Sequence, residues 1–527
     1  MFTIAIAVWR RALQRWQVEC ARAVAASGLA RVALVVEVDG APPLRLPAGS
    51  RAGAEASFGQ LPAGAATLAI AAPPTAADRI AIAGHTLDMV LDLTGLRLGR
   101  ALAGVARHGV WAFHHGDPVR YDGSAPGLDE LASGDLASCC VLYRDSGAGA
   151  VDVLREGWFR TRQTPRRDAD SLLLRSARWP AIVLAGMAET RGAPSPLRSV
   201  VLPAATPRGF SVTARLRAAR RVGAYAWDSL GRRLKRERWS IGIADQPVEA
   251  VIRERRLAPL RWLSGQPDDR FYADPFPLRE EGGRLDVLVE CAPYAVARGR
   301  LALIAVDGER RLVSETDALD MPHHLSYPFI LREGDATFVL PESWEADRLS
   351  AFRVETGSAA LVHDSELMTG KAIVDPTLLW HGGRWWLFCC DRHDDDVTNL
   401  FVFHAQRWQG PYLPHPMNPV KTDVRSSRPA GAFVEVDGEL YRPAQDCALR
   451  YGNAIAINRV VELDERRFRE EVAFVLRPDP AGPFPDGLHT INGLGDVTVV
   501  DGERMSFEPL AALADRRARR RARVRRQ

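Results

Sequence analysis

At 527 residues the chain is longer than one ordinary domain and is expected to fold as two or three. Its 46% hydrophobic and 25% charged residues are those of a globular protein, and a net charge of +4 is too small to imply nucleic acid as a partner. The seven cysteines form no CxxC pair and give no metal spacing, which points to reduced, structural thiols in a cytoplasmic compartment; no stretch approaches the roughly 18 apolar residues of a membrane span.

Lysine occurs only at Lys235, Lys371 and Lys421; with abundant alanine, the arginine bias marks a GC-rich, bacterial genome rather than phosphate binding. The opening run Met1 to Val8 is apolar and is followed at once by Trp9-Arg10-Arg11, so it reads as a first strand and not as a signal peptide. Leu13 to Ala26 has apolar residues at helical spacing, closed by Gly28. Val32 to Val38 and Met89 to Leu93 read as further strands. This rhythm predicts a parallel sheet with helices on its faces across residues 1–205. The Gly/Ala/Pro-rich segment 41–78 reads as loop and poorly defined helix. Residues 206–238 are strongly basic and read as a linker helix, with a solvated role preferred to a membrane-surface one. An Arg-rich tail, 511–527, reads as a helical or disordered extension.

Between them, residues 239–510 repeat one phrase five times: a polar turn, usually ending in proline, an apolar run, a Gly-containing turn and a second apolar run. Pro275, Pro328, Pro376 and Pro429 mark four copies, at spacings of 53, 48 and 53 residues; the weakest copy starts at His489. A period near ~50 residues with paired short strands predicts an all-β five-bladed β-propeller. Its innermost strands would start around one central funnel.

The segment Gly109-Val110-Trp111-Ala112-Phe113-His114-His115-Gly116-Asp117-Pro118, continuing to Ala125-Pro126, resembles the catalytic stretch of methionyl-tRNA and sugar N-formyltransferases. The resemblance implies an α/β Rossmann-like formyltransferase-type domain and places His114 on the family histidine. The family's Asn position falls on Ala112 and its Asp position on Gly149. Loss of one oxyanion donor costs ~10²–10³ in rate, so the domain is expected to be catalytically degenerate, with His114, His115 and Asp117 a polar remnant. A folate-type formyl donor is not expected, and no other cofactor or metal is assigned.

Asp274 and Asp375 each precede a proline at equivalent points of the first and third copies. They resemble the carboxylates of the five-bladed glycoside hydrolases of family 43, where the first is the general base and the second tunes the acid. The family's acid, a Glu before the fourth proline, is absent: the chain reads Ser426-Ser427-Arg428-Pro429. Glu290, Glu342, Asp391 and Asp446 end the second apolar runs and are the substitutes, with Glu342 first and Glu290 second.

A closer resemblance rests on Tyr272-Ala273-Asp274-Pro275-Phe276, His324-Leu325-Ser326-Tyr327-Pro328, Pro341-Glu342-Ser343, Val374-Asp375-Pro376, Trp385-Trp386-Leu387-Phe388, Leu440-Tyr441-Arg442-Pro443-Ala444-Gln445-Asp446-Cys447 and Tyr451-Gly452. Together these are similar to the N-terminal domain of the plant glucosamine inositolphosphorylceramide transferases and its bacterial relatives. The resemblance implies a propeller tied to glycan or glycolipid assembly. In the plant proteins glycosyl transfer is assigned to a separate domain, which this chain is expected to lack.

Sugar sites pair aromatic faces with planar polar groups. Tyr272, His324, Tyr327 and Arg428 are therefore candidate substrate contacts, as are Arg442, Gln445, Asp446 and His489; Arg428 would suit an anionic ligand. The expectation is a carbohydrate-active protein of envelope polysaccharide or glycolipid biosynthesis, cytoplasmic, with peripheral contact to a membrane left open. Its partner would be a sugar, glycan or glycolipid head group, with glycosyl transfer or hydrolysis as the chemistry. A non-catalytic sugar-binding scaffold and a sugar N-formyltransferase with altered catalytic groups remain the alternatives.

Overall fold

The computed structural model describes residues 1–40, 44–161, 164–204, 212–296, 298–355 and 360–526. The chain divides into two compact units, Met1–Ala226 and Trp227–Gln527.

The first unit holds strands β1 (Phe2–Trp9), β2 (Ala30–Val38), β3 (Ala66–Ile70), β4 (Met89–Asp92), β5 (Val110–His114), β6 (Ala137–Asp145), β7 (Val151–Arg160) and β8 (Arg198–Val200). They lie in the order β3-β2-β1-β4-β5-β6-β7-β8. The first five are parallel, and β5 to β8 pair antiparallel. Helix α1 (Arg15–Ala26) joins β1 to β2 and α2 (Ala76–Ala83) joins β3 to β4; α3 (Leu128–Ser133), α4 (Pro165–Ser176) and α5 (Trp179–Thr190) follow. β1 sits mid-sheet and is buried from Ile4 to Trp9, as a strand covered on both faces must be. The segment expected to be loop and loose helix contains β3 as well as the start of α2; β3 is an edge strand with only Ile70 buried, so its apolar pattern is weak. Residues 41–43 of that segment lie outside the described residues.

The basic segment forms α6 (Val212–Arg232), but the expected helix does not run to 238. Lys235–Arg238 instead begin strand β9 (Lys235–Ala244), because their backbone pairs with a strand near the end of the chain. Residues 206–211 of the expected linker lie outside the described residues.

The second unit is a β-propeller built from antiparallel meanders. After β9, α7 (Val248–Glu254) and β10 (Arg261–Trp262), one sheet comprises β11 (Arg270–Glu281), β12 (Arg284–Pro293), β13 (Arg300–Val306) and β14 (Leu312–Leu319). The next comprises β15 (Ser326–Glu333), β16 (Ala336–Glu342), β17 (Arg348–Val354) and β18 (Leu361–Thr369). A third meander runs β19 (Ile373–His381), β20 (Arg384–Asp391) and β21 (Asn399–Ala405), with β22 (Leu413–Pro414) and β23 (Lys421–Asp423) both pairing β21. Then come β24 (Val434–Val436), β25 (Glu439–Asp446), β26 (Ala454–Leu463) and β27 (Phe468–Leu476). The last sheet joins β28 (Ile491–Leu494) and β29 (Val497–Phe507) to β9 and β10, in the order β10-β9-β29-β28.

Five hairpins thus correspond to the five copies of the phrase. Their turn glycines, among them Gly282, Gly334, Gly382, Gly438 and Gly495, all have positive φ, which explains the recurrent Gly between the apolar runs. The Arg-rich tail is helical, as α8 (Pro509–Arg526).

Candidate functional site

At three of the hairpins the sequence phrase is a β-bulge. Ala273 pairs with Glu290 and Phe276 with Leu288, so Asp274-Pro275 bulge out against a single residue. The same slip separates Ser326–Glu342 from Phe329–Leu340, and Val374–Cys390 from Thr377–Phe388. Proline supplies no N–H to the ladder, and the residue before it turns into the left-handed region: φ is 49° at Asp274, 44° at Tyr327 and 48° at Asp375. Such conformations are costly for non-glycine residues and persist only where neighbours fix them.

The neighbours here are carboxylates. The Asp274 N–H donates to Asp501 at 2.9 Å, the Tyr327 N–H to Asp274 at 3.2 Å, and the Asp375 N–H to Glu342 at 3.1 Å. Each bulge is thereby tied to an acid from another hairpin.

Two polar clusters result. In the first, His489 lies between two acids: Nδ1 is 2.7 Å from Asp501 Oδ2 and Nε2 is 3.3 Å from Asp274 Oδ1. Thr490 Oγ1 also donates to Asp274, at 2.7 Å. Burial pulls the His489 pKa down, but Asp501 and Asp274 outweigh it and raise the pKa to about 9. Burial raises Asp274 to about 6, against the pull of His489. One ligand atom from each of Asp274, His489 and Asp501 lies within 4.8 Å of the others, a spacing that would accept a cation. An imidazolium already supplies that positive charge, so a metal would first have to displace the His489 proton.

In the second cluster, Arg428 Nε donates to Asp375 Oδ2 at 2.6 Å and Nη1 to Asp396 at 3.1 Å, while Nη2 lies 3.7 Å from Glu342. Gln445 adds a bond to Asp375 at 3.1 Å and a second to the Pro429 carbonyl. Glu342 is pushed well up by burial and by Asp375; Glu290 is pushed up by burial and by Asp274. Tyr451 joins the clusters: its ring is 5.4 Å from that of His489 and 4.9 Å from the Arg428 guanidinium. It is 40% exposed, unlike the acids beneath it.

Arg442 stands behind this arrangement. It donates to Glu470 and to the carbonyls of Ser426 and Ser427, directly before Arg428. Gly431, with φ of 137°, lets the next stretch pass β28: a Cβ there would lie 1.9 Å from the Ile491 carbonyl oxygen.

The other expected contacts are engaged by the protein itself. Tyr272 is in the core with Ile241 and Val289, and its hydroxyl donates to Glu315. Tyr327 is buried, its hydroxyl bonded to Thr377 and to the Gly431 N–H. His324 accepts the Gly299 N–H at Nδ1 and sets Nε2 3.6 Å from Glu290. Asp446 accepts the Ala448 N–H in a turn. Asp501, Thr490, Asp396 and Tyr451 were not among the expected site residues; the acid ending the last apolar run was the signal for Asp501.

In the first unit, His114 and His115 are both buried and both held neutral, with pKa values lowered by burial to about 4 and about 3. His115 stacks on Phe113 at 5.7 Å, and Asp117 accepts the Val119 N–H. Ala112 is a buried β5 residue and Gly149 sits in the β6–β7 turn.

Among curated proteins, glucosamine inositolphosphorylceramide transferase 1 of Arabidopsis thaliana is 30% identical over 226 residues, covering 42% of this chain and 29% of the plant protein. Its counterpart in Oryza sativa subsp. japonica is 28% identical over 206 residues, covering 38% and 27%. The chain therefore spans under a third of these relatives' length. Solved structures with a related shape include a family 117 glycoside hydrolase of Zobellia galactanivorans, at 12% identity, 46% and 88% coverage and a TM-score of 0.34. Another is an exo-β-1,3-galactanase of Phanerochaete chrysosporium, at 12% identity, 40% and 52% coverage and a TM-score of 0.31. Residues 265–482, which carry Asp274, Glu342, Asp375 and Arg428, match the family model described as glucosamine inositolphosphorylceramide transferase 1, N-terminal.

Proposed function

We propose that the propeller centre binds a glycosyl or phosphoglycosyl head group of a glycolipid or glycan, and that its buried acids act on it by glycosyl transfer or hydrolysis. In this reading the ring has five blades, with β19 to β22 as the one not assigned as a separate four-stranded sheet; the five equivalent hairpins support it. The observation that carries the functional reading is two buried acids on successive bulge N–H groups, Asp274 raised to about 6 and Glu342 pushed well up by burial and by Asp375. Acid–base chemistry near neutral pH needs two groups driven apart in this way. Asp274 would take the proton and Glu342 or Glu290 would give one. The name of the plant relatives supports a glycolipid as the class of substrate.

A binding-only reading draws on a different observation: Asp274, Glu342 and Asp501 each accept a bulge N–H, a structural task that needs no chemistry. The experiment that separates the two offers glycosylated inositol phosphates and sugar nucleotides to the full chain and to Asp274→Asn and Glu342→Gln. Turnover lost with binding kept supports catalysis; binding without turnover in any protein supports a recognition module. The third reading, an altered formyltransferase in the first unit, is tested by folate-cofactor binding; its buried, neutral His114 does not favour it.

A further inference from the structure

One surface of the second unit carries large apolar side chains among cations. Trp227 is 78% exposed, and Leu230 lies three residues on in the last turn of α6, with Leu234 exposed in the turn that follows. At the other end of the chain Phe507, Leu510 and Leu513 are exposed, Leu510 to 85%. The two groups are neighbours. Lys235 pairs with Phe507 in register, the Glu508 N–H donates to the Leu234 carbonyl at 3.2 Å, and Arg516 donates to the Arg232 carbonyl at 3.5 Å.

The acids near this patch are already paired. Asp228 meets Arg232 at 2.9 Å, Asp515 meets Arg236 at 2.9 Å, and Glu508 meets Arg238 at 2.9 Å. Arg233, Lys235, Arg516 and Arg517 are exposed around it. The sequence of α8 then adds arginine at 519, 520, 521, 523, 525 and 526 with no further acid.

We infer that this patch docks on an anionic lipid surface. A tryptophan, a phenylalanine and leucines beside dense arginine match an interfacial site, in which rings and aliphatic chains enter the headgroup boundary while cations meet lipid phosphates. A nucleic-acid surface would use the arginines but would leave two exposed leucine-rich turns unexplained. The inference is independent of the chemistry in the propeller centre and stands or falls on different residues.

The test is co-sedimentation of the full chain with vesicles of phosphatidylcholine alone and of phosphatidylcholine containing phosphatidylglycerol. Binding is expected only to the anionic vesicles and is expected to weaken with salt. Arg233→Gln and Lys235→Gln should each lower partitioning about fivefold. Trp227→Ser with Leu510→Ser should lower it further, with the melting temperature unchanged because both side chains face solvent. Should that pair melt early, Trp227→Ser alone decides. Equal binding to neutral vesicles, no vesicle binding, or binding of a single-stranded RNA that is indifferent to the Trp227 and Leu510 changes overturns the proposal.

Discussion

Arg428 grips Asp375 through Nε at 2.6 Å and lies 3.7 Å from Glu342, so the cation expected to await an anionic ligand is committed to the protein's own acids. It holds together a buried group that could not otherwise carry several charges in one place. Arg428→Met should therefore leave uncompensated acid in the core and destabilise the propeller by about 3–5 kcal/mol. Chemical denaturation measures this, and pairing the change with Asp375→Asn should restore part of the loss.

His489 makes stability depend on pH. Its pKa rises from an ordinary 6.5 to about 9 in the fold, so its contribution is fully present below about 6.5 and fades as pH rises through about 9. The contribution is on the order of 3 kcal/mol. His489→Gln should cost most near pH 6 and little above pH 9 or so. Melting curves of the two proteins across that range check the sign; a gap that widens with pH contradicts it.

Asp274→Asn keeps an oxygen for the Tyr327 N–H and removes the carboxylate proposed as the base. Turnover of a glycosyl substrate should fall by about 10²–10⁴, with substrate affinity changed far less. Glu342→Gln should do the same for any substrate whose leaving group needs a proton. A kcat that survives both changes would move the chemistry away from the propeller centre.

Tyr451, 40% exposed, packs its ring against His489 and Arg428. Tyr451→Ala should weaken head-group binding several-fold and lower the melting temperature modestly, whereas Tyr451→Phe keeps the ring and most of the affinity. Isothermal titration with a glycosylated inositol phosphate distinguishes them.

The repeat was legible because each copy must spell a bulge, a strand, a glycine turn and a second strand. Its register was not. The four acids end their second runs at matching points of the sequence phrase, yet the observed pairing aligns Glu290 and Glu342 with Cys390 and Gln445, not with Asp391 and Asp446. A one-residue slip sends a strand's side chains to the opposite face. Asp391 and Asp446 end their runs for another reason: each accepts the N–H two residues on, in His393 and Ala448, as aspartate does in turns. Asp274 and Asp375 were legible through their prolines. Arg442 and Tyr272 were misleading because a planar or aromatic side chain serves blade packing as well as it serves a sugar.

Strand β9 precedes every copy of the repeat yet pairs with β29 along ten residues, Lys235 to Ala244. The family match stops at residue 482, short of both β29 and His489. A protein trimmed to the matched segment would thus be an open chain of sheets rather than a smaller version of the same site. Asp274 would lose the histidine, threonine and aspartate that hold it, and its bulge N–H would face no acceptor.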